Sequence, residues 1–228
     1  MIEAAVAFDA EVLERQGFAL IPEALAAADC RALVEAYSHD RLYRSTVVMQ
    51  RHGFGRGEYR YFADPLPSVV ARLRSEFYER LAPAANRWNA LLGVDERFPR
   101  ELGEYRERCA AAGQRRPTCL ILKYGPGDEN ALHQDLYGER AFPFQLTVYL
   151  SAREDYEGGE SVIVRRRPRM QSIATVITAK QGDALVFPNR FRPARGSRGY
   201  YREDVRHGVS VVRSGARFAL GIVFHDGR

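Results

Sequence analysis

The chain has 228 residues, 46% of them hydrophobic and 28% charged, which is enough to bury a sizeable core and is an ordinary composition for a folded protein. No basic stretch precedes an apolar run near the N-terminus, and nowhere do about 18 apolar residues follow one another, so neither a signal peptide nor a membrane span is predicted. We therefore expect a cytoplasmic protein. Cys30, Cys109 and Cys119 are widely spaced, which excludes a C-x-x-C site and predicts reduced, structural thiols.

Basic residues are concentrated in one segment of the chain. The formal net charge is +5, and only Lys123 and Lys180 among the 34 basic residues are lysines. Residues 165–206 contain ten arginines and one lysine against three acidic residues, a local charge of +8. Clustered arginine is typical of phosphate-binding surfaces, but it also occurs on ordinary solvated faces. Both interpretations stay open, and the first makes a nucleic acid a candidate partner.

Residues 1–116 have mainly helical patterns. Apolar side chains recur every three or four residues over 69–81, which predicts a long amphipathic helix that Pro83 either kinks or splits. Asp9 is placed to cap a short first helix. The other predicted elements are helices over 10–16, 27–37, 84–92 and 101–112, a strand over 18–21 and an extended segment over 44–50.

Glycines alternate with cationic and aromatic residues over 51–62. Glycine permits an open loop, so this segment is predicted to be a loop before the long helix. It has two interpretations. The loop is either a substrate-facing flap whose arginines and tyrosines contact the target, or an ordinary surface loop.

Residues 117–228 change in character from helical to β. Short apolar or alternating runs are separated by turn residues, which is typical of a sandwich, barrel or jelly roll. We therefore predict a single α+β unit over 1–228, in which N-terminal helices (1–116) brace a β core (117–228). The predicted strands cover 118–124, 144–150, 161–165, 172–178, 184–187, 207–212 and 217–225.

A histidine and a carboxylate follow the first of these strands. The turn Gly125-Pro126-Gly127 ends the strand, and His133 and Asp135 come shortly after it, two residues apart. In an extended segment, alternation places such side chains on the same side, where they can take neighbouring positions on one metal ion. His207 is the candidate third ligand. Two histidines and one carboxylate form the facial triad of non-haem Fe(II) oxygenases.

Strand alternation also predicts a pocket. In 144–150 the odd positions are Gln145, Thr147 and Tyr149, which give this strand one polar face. In the last strand Arg217 shares a face with Ala219, Gly221 and Val223, which leaves room for a ligand. A guanidinium at the end of a cavity is suited to a bidentate grip on a carboxylate, so Arg217 is the candidate anchor, with Arg213 as the second choice.

These residues resemble the 2-oxoglutarate and Fe(II)-dependent oxygenase superfamily. The Gly158-Gly159-Glu160 turn and the spacing from His207 to Arg217 are similar to the prolyl-hydroxylase branch, whereas 123–127 leading into His133-Gln134-Asp135 resembles the AlkB-type repair branch. Nearly the full length is similar to a bacterial family grouped with nucleic-acid modifiers, through the segments 51–62, 116–118, 132–138 and 206–210.

The resemblance implies a double-stranded β-helix core of jelly-roll type. It implies that His133, Asp135 and His207 bind Fe(II), and that Arg217, assisted by Tyr124, binds 2-oxoglutarate, which together with O2 is a co-substrate. Tyr124 has a second interpretation as a strand-end residue that packs on the core.

The chain departs from the repair branch at three positions that contact the co-substrate in that branch. Leu122 and Ala219 stand where it has asparagines, and Val223 stands where it has a second arginine. The co-substrate contacts must therefore differ in part. The candidate replacements are Gln145, Thr147 and Tyr149.

The leading functional hypothesis is a dioxygenase that hydroxylates a C–H bond, or oxidatively demethylates it, on a nucleic acid base. The first alternative is a protein side-chain hydroxylase of the prolyl-hydroxylase type. The second is a non-catalytic nucleic-acid-binding or sensor protein, which would not require an open-sided iron site.

Overall fold

The computed structural model describes residues 10–135, 138–167 and 169–228. The predicted cap residue Asp9 lies outside the described residues, as do Leu136 and Tyr137 of the segment that follows the H-x-D motif. Within the described part the chain folds into three layers, in which helices cover one side of a large sheet and a smaller sheet covers the other side.

The described residues form four α-helices, and all four lie in the first half of the chain. The longest carries the apolar stripe predicted from the sequence, with Leu73, Phe77 and Leu81 buried. It is not split at Pro83, which lies inside the continuous helix. No described helix is both long and apolar enough to cross a membrane. The helices are α1 (Ala10–Gln16), α2 (Ala27–Ala36), α3 (Ser68–Leu91) and α4 (Leu102–Ala111).

Fourteen strands are formed by the described residues. Three of them precede α3, and the others follow α4. The strands are β1 (Ala19–Ile21), β2 (Tyr43–Val48), β3 (Glu58–Phe62), β4 (Cys119–Tyr124), β5 (Asn130–His133), β6 (Phe144–Tyr149), β7 (Tyr156–Gly158), β8 (Ser161–Arg166), β9 (Ile173–Ile177), β10 (Ala184–Pro188), β11 (Phe191–Gly196), β12 (Gly199–Val209), β13 (Val212–Gly215) and β14 (Arg217–Val223).

The strands make two main sheets with antiparallel pairing. The large sheet has the order β1-β10-β6-β14-β4-β3-β2. The small sheet has the order β11-β12-β8-β9, and β5 also pairs with β12. β13 and β7 form a separate two-stranded sheet. Strands distant in sequence thus become neighbours.

Two apolar clusters hold the layers together. The larger cluster joins the helices to one face of the large sheet, where the rings of Trp88 and Phe144 lie 4.5 Å apart. The smaller cluster joins the two sheets and includes Ile163, Leu185 and Val205. The cysteines are free and buried in this interior, as their spacing predicted.

The β regions differ from the sequence prediction in several places, and β5, β7, β11 and β13 were not among the predicted strands. Residues 51–62 were predicted to be a loop, but Glu58–Phe62 is a strand that pairs with β2 and β4. The predicted strand 207–212 is wrong in its bounds: β12 begins at Gly199 and ends at Val209, and it forms a hairpin with β11, which the sequence analysis missed.

A buried ion pair links α3 to the end of β14. Arg74, which is 1% exposed, lies 2.7 Å from the Asp226 carboxylate and also donates to the carbonyl of Phe224. Arg106 on α4 binds the other oxygen of the same carboxylate. Asp226 therefore fixes two helices against the strand that begins with Arg217.

Replacing Asp226 by alanine should lower the free energy of unfolding by about 3–5 kcal/mol, because it leaves the buried Arg74 guanidinium without its counter-ion. Glu104, whose exposed carboxylate pairs with Arg108 on α4, offers the control. Glu104→Ala should change stability by less than about 1 kcal/mol. Denaturant unfolding of the two variants measures both values, and equal effects would contradict this role for Asp226.

Candidate metal centre and co-substrate pocket

His133 and His207 lie opposite each other on paired strands. They are register partners in the antiparallel pairing of β5 with β12, so their side chains share a face. Their ring centroids are 4.2 Å apart. The sequence separates these histidines widely, and the strand pairing brings them together.

Asp135 completes the group just after β5 ends. One carboxylate oxygen lies 3.5 Å from Nε2 of His133 and the other lies 3.0 Å from Nε2 of His207. The backbone N–H of Asp135 donates to the carbonyl of Asn189, which fixes the chain at this point. The three predicted residues therefore converge, with their ligand atoms all within 4.8 Å of one another.

The surroundings prepare these groups to bind a cation. Nδ1 of His133 lies 2.7 Å from the carbonyl oxygen of Ala131, which can only accept, so Nδ1 carries a proton, and Nε2, which faces Asp135, is the nitrogen that would bind a metal ion. Burial works to raise the pKa of Asp135, but hydrogen bonds from the two histidines outweigh it and hold the pKa well below its usual value. Burial lowers the pKa of His207. A carboxylate and two imidazoles at this distance are a suitable donor set for Fe(II).

Gln145 on β6 supports this group from the large sheet. Its amide nitrogen donates to Oδ2 of Asp135 at 2.8 Å and lies 3.2 Å from Nε2 of His207. Because a carboxylate only accepts, the amide must point its nitrogen at Asp135. The sequence predicted Gln145 as a replacement contact of the co-substrate, whereas the structure shows that it contacts the candidate metal ligands.

A cavity of about 210 Å³ lies between the two sheets beside these ligands. The polar face predicted for β6 lines it through Gln145 and Thr147. The predicted face of β14 lines it as well, through Arg217, Ala219, Gly221 and Val223. Strand alternation thus assigned these residues correctly to one pocket.

Arg217 is buried at the inner end of this cavity, with 1% of its surface exposed. Its guanidinium lies 5.4 Å from the ring of Tyr124 and 5.5 Å from the ring of Tyr149. It donates to Oγ of Ser161 at 3.3 Å, and no described carboxylate forms an ion pair with it. Since a buried charge needs compensation, an anionic group of a ligand fits this position.

Ser161 is a pocket residue that the sequence analysis missed. Its Oγ accepts hydrogen bonds from Arg217 and from the Tyr149 hydroxyl, the latter at 2.8 Å, so its own hydroxyl proton remains available to a ligand. In the sequence, the feature that could have identified Ser161 is its position directly after the Gly158-Gly159-Glu160 turn. There Gly159 has a φ of +63°, and a Cβ on it would come within 2.8 Å of the Arg217 side chain.

The other two predicted co-substrate residues, Tyr124 and Arg213, lie in different surroundings. Tyr124 is fully buried beside Arg217, and burial raises its pKa to about 12, so it is a neutral phenol that can donate a hydrogen bond. Arg213 is exposed on β13 and does not line the cavity, so the second choice for the anchor was wrong.

Aromatic side chains form the wall of the cavity near β3. Tyr59 and Tyr61 lie edge to face at 5.4 Å, and Phe54 lies on the same wall with 44% of its surface exposed. The segment before β3 is held against β5 by two backbone hydrogen bonds, from Arg56 to Glu129 and from Ala131 to Phe54. Part of the predicted loop is therefore a fixed wall of the site.

Gln145→Met should weaken binding of Fe(II) by about 10–100-fold, because it removes the hydrogen bond that orients the Asp135 carboxylate. Gln181, whose side chain donates to the carbonyl of Leu150 away from the cavity, offers the matched control Gln181→Met. Anaerobic metal titration measures the affinity of both variants. An unchanged affinity in Gln145→Met would show that the amide does not position Asp135.

Comparisons with known proteins agree with this geometry. Residues 57–227 match a family model described as an oxygenase catalysing oxidative methylation of damaged DNA. The uncharacterised protein Rv2227 of Mycobacterium tuberculosis is 49% identical over 166 residues, which cover 72% of this chain and 71% of that protein.

Solved structures with a similar fold include two bacterial enzymes. A Pseudomonas putida prolyl-4-hydroxylase has a TM-score of 0.55 at 15% identity, with 96% of this chain and 97% of that chain covered. A 2OG-Fe(II) oxygenase family protein from Burkholderia pseudomallei has a TM-score of 0.53 at 19% identity, with 96% and 90% covered. The chain belongs to the oxygenase family that its model match defines, and its fold is similar to those of the two solved oxygenases.

Proposed function

We propose that His133, Asp135 and His207 hold the Fe(II), and that Arg217 binds the far carboxylate of 2-oxoglutarate. The convergence of the three ligand atoms carries this proposal, together with the buried guanidinium in the same cavity. Three protein ligands on one side leave positions for co-substrate and O2. Ser161 and Tyr124 supply hydroxyl donors beside Arg217.

A second proposal concerns the fold. We propose that the two facing sheets form the double-stranded β-helix of jelly-roll type, and that residues 1–228 make a single domain. The likeness to solved oxygenases along most of the chain supports this proposal. The helical layer then braces the large sheet and contributes no ligand.

The residues of the cavity perform separate tasks in the reaction. Bound Fe(II) supplies the oxidising chemistry, in which 2-oxoglutarate and O2 yield succinate and CO2 while one oxygen atom enters a substrate C–H bond. Arg217 and Ser161 fix the orientation of the co-substrate. The apolar side chains of Leu120 and Leu122 limit water in the cavity, and Gln145 keeps the Asp135 carboxylate in place.

We propose a nucleic acid base as the substrate. The description of the matched family, the basic segment 165–206 and the aromatic wall of Tyr59 and Tyr61 support this choice. A base has to leave the stack to reach a site between two sheets, and aromatic side chains can hold its ring. Hydroxylation of an N-methyl group would release formaldehyde and complete a demethylation.

Anaerobic addition of Fe(II) and 2-oxoglutarate to metal-free protein should produce the visible charge-transfer band of a chelated 2-oxo acid. His133→Ala should lose the band, because one metal ligand is removed. Arg217→Met should need at least about 30-fold more 2-oxoglutarate to produce the band, because loss of a buried charged contact costs about 2 kcal/mol or more. The exposed Arg213 provides the control, since Arg213→Ala should titrate like wild type. A folded wild-type protein without a band would refute the proposed site.

An N-methylated single-stranded oligonucleotide should yield formaldehyde and succinate in equal amounts. The measurement is product analysis under air with Fe(II) and 2-oxoglutarate, with His133→Ala as the inactive control. Single-stranded substrate should react faster than duplex, because unstacking the base costs free energy in the duplex. Turnover of proline-containing or other peptides without turnover of any oligonucleotide would favour the protein-hydroxylase alternative instead.

A further inference from the structure

Seven of the ten arginines of the basic segment form two sets, which lie on opposite faces of the small sheet. Glu203 on β12 is 1% exposed and points inward. Arg165, Arg167 and Arg192 surround it, with N–O distances of 3.9, 3.1 and 3.7 Å. These three guanidinium groups share one buried carboxylate, so this set already has a partner inside the protein.

The second set points outward from the same strands. Along β12 the buried residues Glu203, Val205 and His207 alternate with the exposed residues Arg202, Asp204 and Arg206. On β8 the exposed Arg166 lies opposite Asp204.

Arg190, in the turn before β11, is exposed too. We call Arg166, Arg190, Arg202 and Arg206 the outer arginine face. None of these four has a carboxylate within ion-pair distance among residues 10–135, 138–167 and 169–228.

Two of these arginines are held in place by an aromatic ring. The guanidinium of Arg190 lies 5.0 Å from the centroid of Phe191, and that of Arg202 lies 5.1 Å from the same centroid. Phe191 also faces Asp204 across the strand pair, which places the ring on the outer side. Such contacts reduce the freedom of the two cations before any ligand arrives.

The outer arginine face lies across the small sheet from the candidate metal centre, because consecutive residues of a strand point to opposite faces. Arg206 directly precedes His207 on β12. The carbonyl of Arg190 accepts a hydrogen bond of 3.0 Å from the side chain of Gln134, which stands between His133 and Asp135. A strand bound on this face would therefore reach the cavity around the edge of the small sheet, where β5 pairs with β12 and Gln134 contacts Arg190.

We propose that the outer arginine face binds the phosphate backbone of the nucleic acid strand whose base enters the cavity, an inference that rests on the proposed function. The four guanidinium groups of this face lie beside one exposed carboxylate among the described residues of β8 and β12, Asp204, so the face lacks the mixed signs of an ordinary solvated face. Guanidinium forks match phosphate oxygens. Residues two apart on a strand are about 6.7 Å apart, so Arg202 and Arg206 offer cations about 13 Å from each other along one line.

Salt-dependent binding of a fluorescently labelled 20-nucleotide oligothymidine tests this surface. The logarithm of the binding constant should fall linearly with the logarithm of the salt concentration, with a slope that shrinks by about 0.7 for each phosphate contact removed from a single strand. The double variant Arg166→Gln/Arg202→Gln should therefore lose about 1.4 from the slope.

The exposed arginines Arg31 on α2 and Arg100 before α4 offer a control of equal charge on the helical side of the molecule. Arg31→Gln/Arg100→Gln should keep the wild-type slope. An equal decrease of the salt slope in both double variants would show that binding depends on net charge alone, and it would overturn the inference. Absence of oligonucleotide binding by wild type, or binding only to anionic lipid vesicles, would overturn it as well.

The proposed iron site is judged separately by its charge-transfer band, which both double variants should retain. Formaldehyde release from the methylated oligonucleotide with an unchanged salt slope in Arg166→Gln/Arg202→Gln would reject the outer arginine face and leave the proposed function intact. A smaller salt slope in Arg166→Gln/Arg202→Gln, without formaldehyde release by wild type, would support oligonucleotide binding by the outer arginine face and count against the proposed function.

Discussion

The pairing of β5 with β12 is the constraint on which the site depends. It places His133 directly opposite His207, and a register shift of one residue would turn one of the imidazoles to the other face of the sheet. Gly208 permits this close approach, because a Cβ there would lie 2.6 Å from the carbonyl oxygen of Asn130. The backbone bond from Asp135 to Asn189 then fixes the third ligand relative to the two histidines.

The two sheets contribute different parts of the chemistry. The small sheet carries the histidines, whereas the large sheet carries the orienting amide of Gln145 and the buried cation of Arg217. The cavity lies where these surfaces meet, so neither sheet alone provides a complete site. The helices act at a distance, since their apolar cluster and the Arg74–Asp226 ion pair hold the back of the large sheet. The position of Arg217 at the start of β14 depends on that support.

Local patterns in the sequence predicted the parts of the site that lie on regular strands. The spacing of two residues between His133 and Asp135 and the small side chains that follow Arg217 both have a direct meaning in extended structure. Gln145 was assigned to the correct pocket but to the wrong partner, because alternation gives a face and not a contact. The hairpin of β11 and β12 was missed because its inner face carries the buried Glu203 with its arginines, so the usual apolar alternation is absent. Long-range ion pairs of this kind have no signal in a local window.

If the proposed site is correct, one metal ion and one 2-oxo acid occupy the cavity between the sheets. The most direct test is a crystal structure of the protein with Mn(II), in place of Fe(II), and 2-oxoglutarate. We expect a single metal bound by Nε2 of His133, Nε2 of His207 and the Asp135 carboxylate, with the far carboxylate of the co-substrate on Arg217 and Ser161. A metal bound elsewhere, or a co-substrate held by another cation, would contradict it.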